Sequence, residues 1–459
     1  MSENVAIVET PGLARALKPR HIAMIALGGI IGAGLFVGSS AGIAAIGPGI
    51  LVSYVLAGGM ILLVMRMLGE MAVVYPGLGG FTEYARVGLG PWAGFVSGWL
   101  YWFYWVVVVA VEAIAAGSVL EPMTGIPVWQ SGLGLMVAMT VTNLWSARAY
   151  GEFEFWFASI KVAAIIAFIF TCAAYLMNAP IEGGAFANVT AHGGFAPFGM
   201  GAVFAGVTTV IFSLSGAEAT TIAAAEAENP GKVVARMTTQ LMVRVTLFYL
   251  LSIFLIICIV PWNKIVPGQS PFVAALEVVG IPGAALMMNF LVLTAVLSCL
   301  NSGIYVTSRT LFTLASQGDA PKALVTLNAR RVPARAILLG TAFGYFGVIA
   351  SIMSPQVVFA FLINASGAVM LFIYVIIALA QIKNRRHLEQ TDPAKLQIKM
   401  WLFPWASYAA IAGIAGVLIA MGLTQNLASQ LFMSLIALAV VVIAYFIRTG
   451  AKKVPAPAE

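Results

Sequence analysis

A chain of 459 residues in which 61% are hydrophobic and only 9% charged lies far from soluble globular proteins, where roughly a quarter of residues carry charge. Its net charge of +7 would suggest nucleic acid in a soluble protein. Here the basic residues sort by membrane side, so they report topology and no nucleic-acid partner follows.

Residues 1–20 read as a cytoplasmic arm, with no signal-peptide pattern in the first apolar run. Stretches of about 20 apolar residues, enough for a helix to span a bilayer, then recur along the whole length. Twelve are predicted, beginning near His21, Pro48, Pro91, Ile126, Phe155, Gly199, Leu241, Ile281, Ala334, Gln356, Phe403 and Ser429. With Met1 inside, the inner loops collect Arg15, Lys18, Arg86, Arg148, Lys322, Arg330, Arg385 and Lys452 among others, and only Lys264 falls outside. Both termini are therefore expected on the cytoplasmic side of the cell (inner or plasma) membrane. The three cysteines, Cys172, Cys258 and Cys299, all lie in predicted spans, which suggests neither a disulfide framework nor a metal site.

The first span is interrupted at its centre by Gly28-Gly29-Ile30-Ile31-Gly32-Ala33-Gly34. Each glycine costs about 1 kcal/mol in a helix interior, so a locally unwound backbone is expected. Unpaired backbone groups survive in hydrocarbon only where protein or a polar ligand satisfies them, which points to a mid-membrane binding site. The alternative is that small residues merely let two helices pack closely. The sixth span, residues 199–228, is also broken, at Ser213-Leu214-Ser215-Gly216-Ala217-Glu218.

Breaks in the first and sixth spans are what an inverted repeat of five helices plus five produces. The predicted fold is thus an all-α integral membrane protein with repeats at 21–180 and 199–382. A cytoplasmic loop at 383–402, two peripheral helices at 403–448 and a tail at 449–459 complete it. Half-helix ends meeting at the midplane offer N–H groups to a carboxylate and carbonyls to an ammonium, so a zwitterion fits. The last two spans carry almost no polar centre and are read as peripheral packing or homodimer contacts. Residues 384–400 are read as an exposed inner loop.

Several segments resemble the amino acid permeases of the amino acid–polyamine–organocation superfamily. They are Leu17-Lys18-Pro19-Arg20-His21 with the glycine break, Gly69-Glu70-Met71-Ala72, Gly151-Glu152-Phe153-Glu154-Phe155-Trp156 leading to Lys161, the stretch from Ser213 to Pro230, Asn301-Ser302 leading to Ser308-Arg309, and Gly318-Asp319-Ala320-Pro321. Within that family, Trp99-Leu100-Tyr101-Trp102, Ser298-Cys299-Leu300-Asn301-Ser302, Phe361-Leu362-Ile363 and Ser366-Gly367-Ala368 resemble the 4-aminobutyrate (GABA) permease branch. The resemblance implies a leucine-transporter-type fold and an amino acid substrate, with a proton gradient and no cofactor. It places the Ala33 and Gly34 amides on the substrate carboxylate, the carbonyls of Ile30 and of Phe212 or Ser215 on its ammonium, and the Phe212 ring as a lid. It also puts Lys161 of the fifth span against the unwound first span, where sodium sits in sodium-coupled relatives. Proton coupling is then favoured.

The residues themselves add further candidates. An acid inside a membrane is functional by default, which singles out Glu218 and Glu112 for coupling or for the substrate amine. Tyr101 and Trp105, one turn apart, face the same side and are placed on the substrate pocket, with an interfacial aromatic belt as the alternative. Asn301, Ser302 and Ser366 must face the bundle, Asn301 by an interhelical hydrogen bond. Glu226, Glu228, Lys232 and Arg236 with Arg309 and Asp319 read as an inner-gate network. Glu152 and Glu154 read as exposed on a cytoplasmic turn.

Proton-coupled uptake of 4-aminobutyrate or a similar small amino acid is the expected function. A permease for aromatic, basic, proline or other neutral amino acids, or an exchanger, is the alternative within the fold. An amino acid sensor would usually carry an appended domain, and no His-Glu metal spacing, phosphate loop or nucleophile elbow supports an enzyme.

Overall fold

The computed structural model describes residues 30–75, 78, 80–145, 147–178, 184–219, 221 and 230–451. Among them every regular element is helical. Among the described residues, seven helical stretches are long and apolar enough to cross a membrane: Gly34–Val74, Pro91–Thr124, Glu154–Asn178, Ala284–Ser316, Pro355–Thr391, Trp405–Leu423 and Leu427–Thr449. Shorter apolar helices cover Gly199–Leu214, Val245–Ile259 and Ala334–Ala350.

After a bend at Ile31 and Gly32, a π-helical turn spans Gly34–Gly38 and passes into α1 (Ser39–Ile46). The Gly47-Pro48-Gly49 turn then reverses the chain into α2 (Ile50–Val74), so the continuous apolar stretch 34–74 is two elements, divided where Gly47 takes a positive φ of 73°. A short helix α3 (Phe81–Leu89) lies between α2 and α4 (Pro91–Thr124). Beyond it come α5 (Val128–Trp145), α6 (Ala147–Asn178), α7 (Ala187–Thr190), α8 (Gly199–Ala205) and α9 (Val207–Leu214). The second half holds α10 (Pro230–Ile259), α11 (Pro271–Val279), α12 (Ala284–Ser316), α13 (Ala334–Ala350) and α14 (Pro355–Thr391), followed by α15 (Trp405–Leu423) and α16 (Gln425–Ala451).

Position in the bundle follows from burial. The middle of α4, from Leu100 to Gly117, is buried almost without interruption, and α4 packs along α12, α14, α5 and α13. A helix apolar all round belongs in the interior, and α4 is the central post of the fold. α16 instead exposes Phe432, Ile436, Val440, Ile443 and Ile447, the surface expected of a helix facing lipid.

The end of the bundle that carries α3 is held by buried charge. Glu70 of α2 accepts from Gln381 Nε2 at 2.9 Å, from Arg385 at 2.8 Å and from the Met400 amide. The expected exposed loop at 384–400 is corrected in part: α14 runs to Thr391, and Asn384, Arg385, Leu396 and Met400 are buried, while Arg386, Glu389 and Lys395 stay exposed. Glu70 requires a cation there, and the helix extends to supply one. Asp319 pairs with both Arg86 of α3 and Arg448 of α16, and its carbonyl accepts from Trp99 Nε1 at 3.2 Å. Arg86 also pairs with Glu83, whose carboxyl burial pushes above the usual carboxylate range against the pull of Arg86.

Among the described residues, the partners of Asp319 are Arg86 and Arg448. Arg309 lies over the Tyr305 ring at 4.4 Å, while Glu226, Glu228, Lys232 and Arg236 fall outside the described residues or side chains. The last two helices are also more than packing. Besides the Arg448 pair, Ser434 Oγ donates to the Ala365 carbonyl at 2.9 Å and Ser407 Oγ to Gln381 Oε1 at 2.9 Å.

Candidate functional site

Both breaks meet at the centre of the bundle, where each has one amide held by a carboxylate. At the first, the Ala33 N–H donates to both oxygens of Glu112, 3.0 Å each. At the second, the Gly216 N–H donates to Glu218 Oε1 at 3.0 Å and Oε2 at 3.1 Å. Gly216 has φ of 116°, open to glycine and costly for other residues, so the break in the helix at this point depends on it. In a dry interior a charged acceptor on an orphan amide is a strong hydrogen bond, and these two stabilise backbone that no helix satisfies.

The breaks also bind each other. Ser213 Oγ donates to the Gly34 carbonyl at 2.7 Å, and a Cβ on Gly34 would lie 2.6 Å from Ser213 Cα. Only glycine allows this approach. Tyr249 of α10 donates its hydroxyl to the Ile30 carbonyl at 2.9 Å, so the carbonyl expected to take the substrate ammonium already has one donor. Ser215 Oγ is turned back onto the Ile211 carbonyl at 2.7 Å, with Tyr374 of α14 at 3.5 Å. Tyr374 also reaches Glu218 Oε2 at 3.4 Å. Ser366 Oγ donates within its own helix to the Ile363 carbonyl at 2.9 Å.

An aromatic wall from α4 closes the second break. Phe212 lies 6.5 Å from Tyr104, which stacks on Tyr101 at 6.3 Å and meets Trp105 edge-on at 5.8 Å. The Tyr101 hydroxyl lies beside Glu218 and the Trp105 indole, yet among the described residues neither it nor the Trp105 N–H meets a partner in good hydrogen-bond geometry. Such buried donors are uncommon in folded proteins and are costly unless a ligand answers them. Ile30, Ala33, Tyr101, Trp105, Phe212, Ser215, Glu218 and Ser366 are all buried.

Lys161 of α6 donates to Ser298 Oγ of α12 at 2.8 Å, Ser298 donates to Glu154 Oε1 at 2.6 Å, and Lys161 Nζ lies 3.9 Å from Glu154. All three are buried. This corrects the placing of Glu154 on an exposed turn. α6 begins at Ala147 rather than near Phe155, and seven residues, two turns, bring Glu154 onto the face of Lys161. The Glu152 side chain and residues 28 and 29 of the first break lie outside the described residues. Cys299, next to Ser298, stands against Gly32 and Glu112, so the Lys161 cluster and the Glu112 clasp adjoin through α12. Asn301 accepts from Asn143 Nδ2 of α5 at 2.6 Å, the interhelical bond expected of it.

Sequence reasoning missed Tyr249 and Tyr374. Each lies in an apolar run with no motif around it, and only its spatial neighbour makes it polar chemistry. Glu112 was noted without a partner, because that partner is a backbone amide 79 residues away. Its clasp on Ala33 gives an expected result: Glu112→Gln replaces a two-oxygen anionic acceptor by one neutral oxygen, a loss of about 1.5–3 kcal/mol. Uptake of an amino acid and inhibition by the matching carboxylate without an amine should then shift by the same factor, since both ligands need the same amide. A selective loss for the amine-bearing ligand would show that Glu112 faces the ammonium instead.

A helical membrane protein whose two broken helices meet around buried carboxylates has the architecture of a secondary transporter. The amino acid permease family model matches residues 21–457. The gamma-aminobutyric acid permease of Bacillus subtilis is 46% identical over 439 residues, 95% of this chain and 94% of that protein. The gamma-aminobutyric acid permease of Escherichia coli is 42% identical over 89% of this chain and 88% of that protein. The aromatic amino acid transport protein AroP of Corynebacterium glutamicum is 36% identical over 88% of this chain and 89% of that protein. The chain belongs to the amino acid permease family, as a multi-pass membrane protein that transports amino acids.

Proposed function

We propose that the chain is a proton-coupled uptake symporter for 4-aminobutyrate or a similar small amino acid. The observation that carries the substrate is the 42–46% identity, over about nine-tenths of the chain, to relatives named for that amino acid. Proton coupling is supported by the buried Lys161, Ser298 and Glu154 cluster, which puts a covalently fixed cation beside the first break. With twelve spans, both termini lie in the cytoplasm of an inner or plasma membrane, and residues 21–180 and 199–382 form the inverted repeats.

In this reading the Ala33 amide holds either Glu112 or the substrate carboxylate. Entry of the substrate transfers the amide from one to the other, and protonation of the displaced Glu112 removes the cost of an unpaired charge. Tyr101, Trp105, Phe212, Ser215 and Ser366 line the space beside Gly34. Glu218 and the Ile30 carbonyl are the ammonium acceptors, and the amine of 4-aminobutyrate, two methylenes further out than an α-amine, favours the more distant Glu218.

The test is a competition panel of unlabelled α- and ω-amino acids against labelled 4-aminobutyrate uptake in proteoliposomes. Inhibition led by 4-aminobutyrate and near homologues of its chain length is expected. Inhibition led by aromatic amino acids would move the chain to the other substrate class among its relatives.

A further inference from the structure

The cavity before α11 is a second polar site, at the end of the bundle opposite α3. α4 carries Gly94 and Gly98 beside Arg86 and reaches Ser118 and Pro122, at this cavity, roughly 36 Å further along. The cavity has a volume of about 270 Å³ and is lined by Ser118, Lys264, Gln269, Ser270 and Glu277 among others. In the orientation proposed above it faces outward, and Lys264 is the lone basic residue of the outer loops.

Three observations make it a site rather than a dent. Ser270 stands at the N-cap of the nine-residue α11 without capping it. At 8% exposure, its hydroxyl has no hydrogen-bond partner among the described residues. Lys264 and Glu277 line the same cavity, and neither forms an ion pair among the described residues. A free hydroxyl, a cation and a helix N-terminus together select an anionic oxygen group. Glu277 supplies the complement for an ammonium.

We propose that this cavity is an outer docking site for the amino acid zwitterion, with the carboxylate on Ser270, Lys264 and the start of α11, and the ammonium turned toward Glu277. The inference rests on the inward direction of transport argued above. Its connection to the central site is direct. The Gly268 N–H donates to Ser40 Oγ at 2.9 Å, and Ser40 donates to the Val37 carbonyl in the turn that follows the first break. Phe272 of α11 packs on Phe36 at 5.0 Å and on Phe168 at 4.6 Å, so α11 covers that break. A zwitterion docked at the head of α11 is held at the cover it must pass.

The experiment measures half-saturation and maximal rate of uptake in proteoliposomes of the full chain, with Ser270→Ala, Lys264→Ala and Glu277→Gln. Losing a buried hydroxyl that bonds nothing should leave thermal stability unchanged or raised. Ser270→Ala and Lys264→Ala should nevertheless raise half-saturation about fivefold at unchanged maximal rate. Glu277→Gln should do the same for the amino acid and leave inhibition by butyrate unaltered. Half-saturation within twofold of wild type in both Ser270→Ala and Lys264→Ala overturns the proposal, as does a fall in maximal rate alone. The probe is labelled 4-aminobutyrate. If the wild-type chain ignores it, the substrate reading fails, and the same criteria apply with the amino acid that the panel ranks first.

Discussion

Replacing Lys161 by methionine is expected to abolish gradient-driven uptake, by about a hundredfold or more. Methionine preserves most of the volume and removes the charge. Glu154 then stays buried with Ser298 as donor and no cation at 3.9 Å. Stranding one member of a buried pair costs about 3–5 kcal/mol, a hundredfold or more in any equilibrium that passes through this conformation. The double variant Lys161→Met, Glu154→Gln removes the stranded charge and should recover thermal stability. It should not recover uptake if Lys161 is the coupling cation, as proposed. Uptake restored together with stability would make Lys161 a structural residue only.

Gly34→Ala should reduce uptake at least about tenfold. The added methyl would lie 2.6 Å from Ser213 Cα, which is backbone and cannot swing aside like a side chain end. Overpacking of this kind costs about 1–3 kcal/mol, and here it falls on the contact between the two breaks. The bond from Ser213 Oγ to the Gly34 carbonyl is lost in the same movement. Gly416→Ala provides the control, since a methyl at Gly416 meets nothing within 4 Å. Equal uptake in the two variants, each measured against wild type, would mean that the close approach of the breaks is not needed for transport.

Much of the architecture was readable because it follows from solvent. Hydrocarbon forces every backbone group into helices, so apolar length alone located the starts of α2, α4, α12 and α14 to within a few residues. Glycine likewise announced both breaks, since Gly34 and Gly216 stand where no other residue fits. What escaped notice were the pairings. Glu154 looked like a loop residue because Trp145, Arg148 and Glu152 just before it are polar or interfacial in character. Its burial depends on α6 starting early and on Ser298 and Lys161 standing opposite.

The same holds at the α3 end of the bundle. Glu70 is separated by more than three hundred residues from Arg385 and the Met400 amide, and nothing local marks Arg385 as buried. Asp319 pairs with Arg86 and Arg448, which come from the beginning and the end of the chain. The site shows the effect most clearly. The resemblance to permeases named the Ala33 amide and the Ile30 carbonyl as substrate ligands, and the structure gives them to Glu112 and Tyr249. A sequence shows which groups a broken helix exposes. It does not show which of the chain's own side chains reach them first.

The central claim is that a proton gradient alone drives an amino acid through this bundle, with the fixed charge of Lys161 in place of sodium. The most direct measurement is uptake of labelled 4-aminobutyrate by proteoliposomes in sodium-free buffer, with an imposed gradient, alkaline inside. The account predicts accumulation above the external concentration that collapses on adding a protonophore. Accumulation that requires sodium, or that persists unchanged with the protonophore, would contradict it.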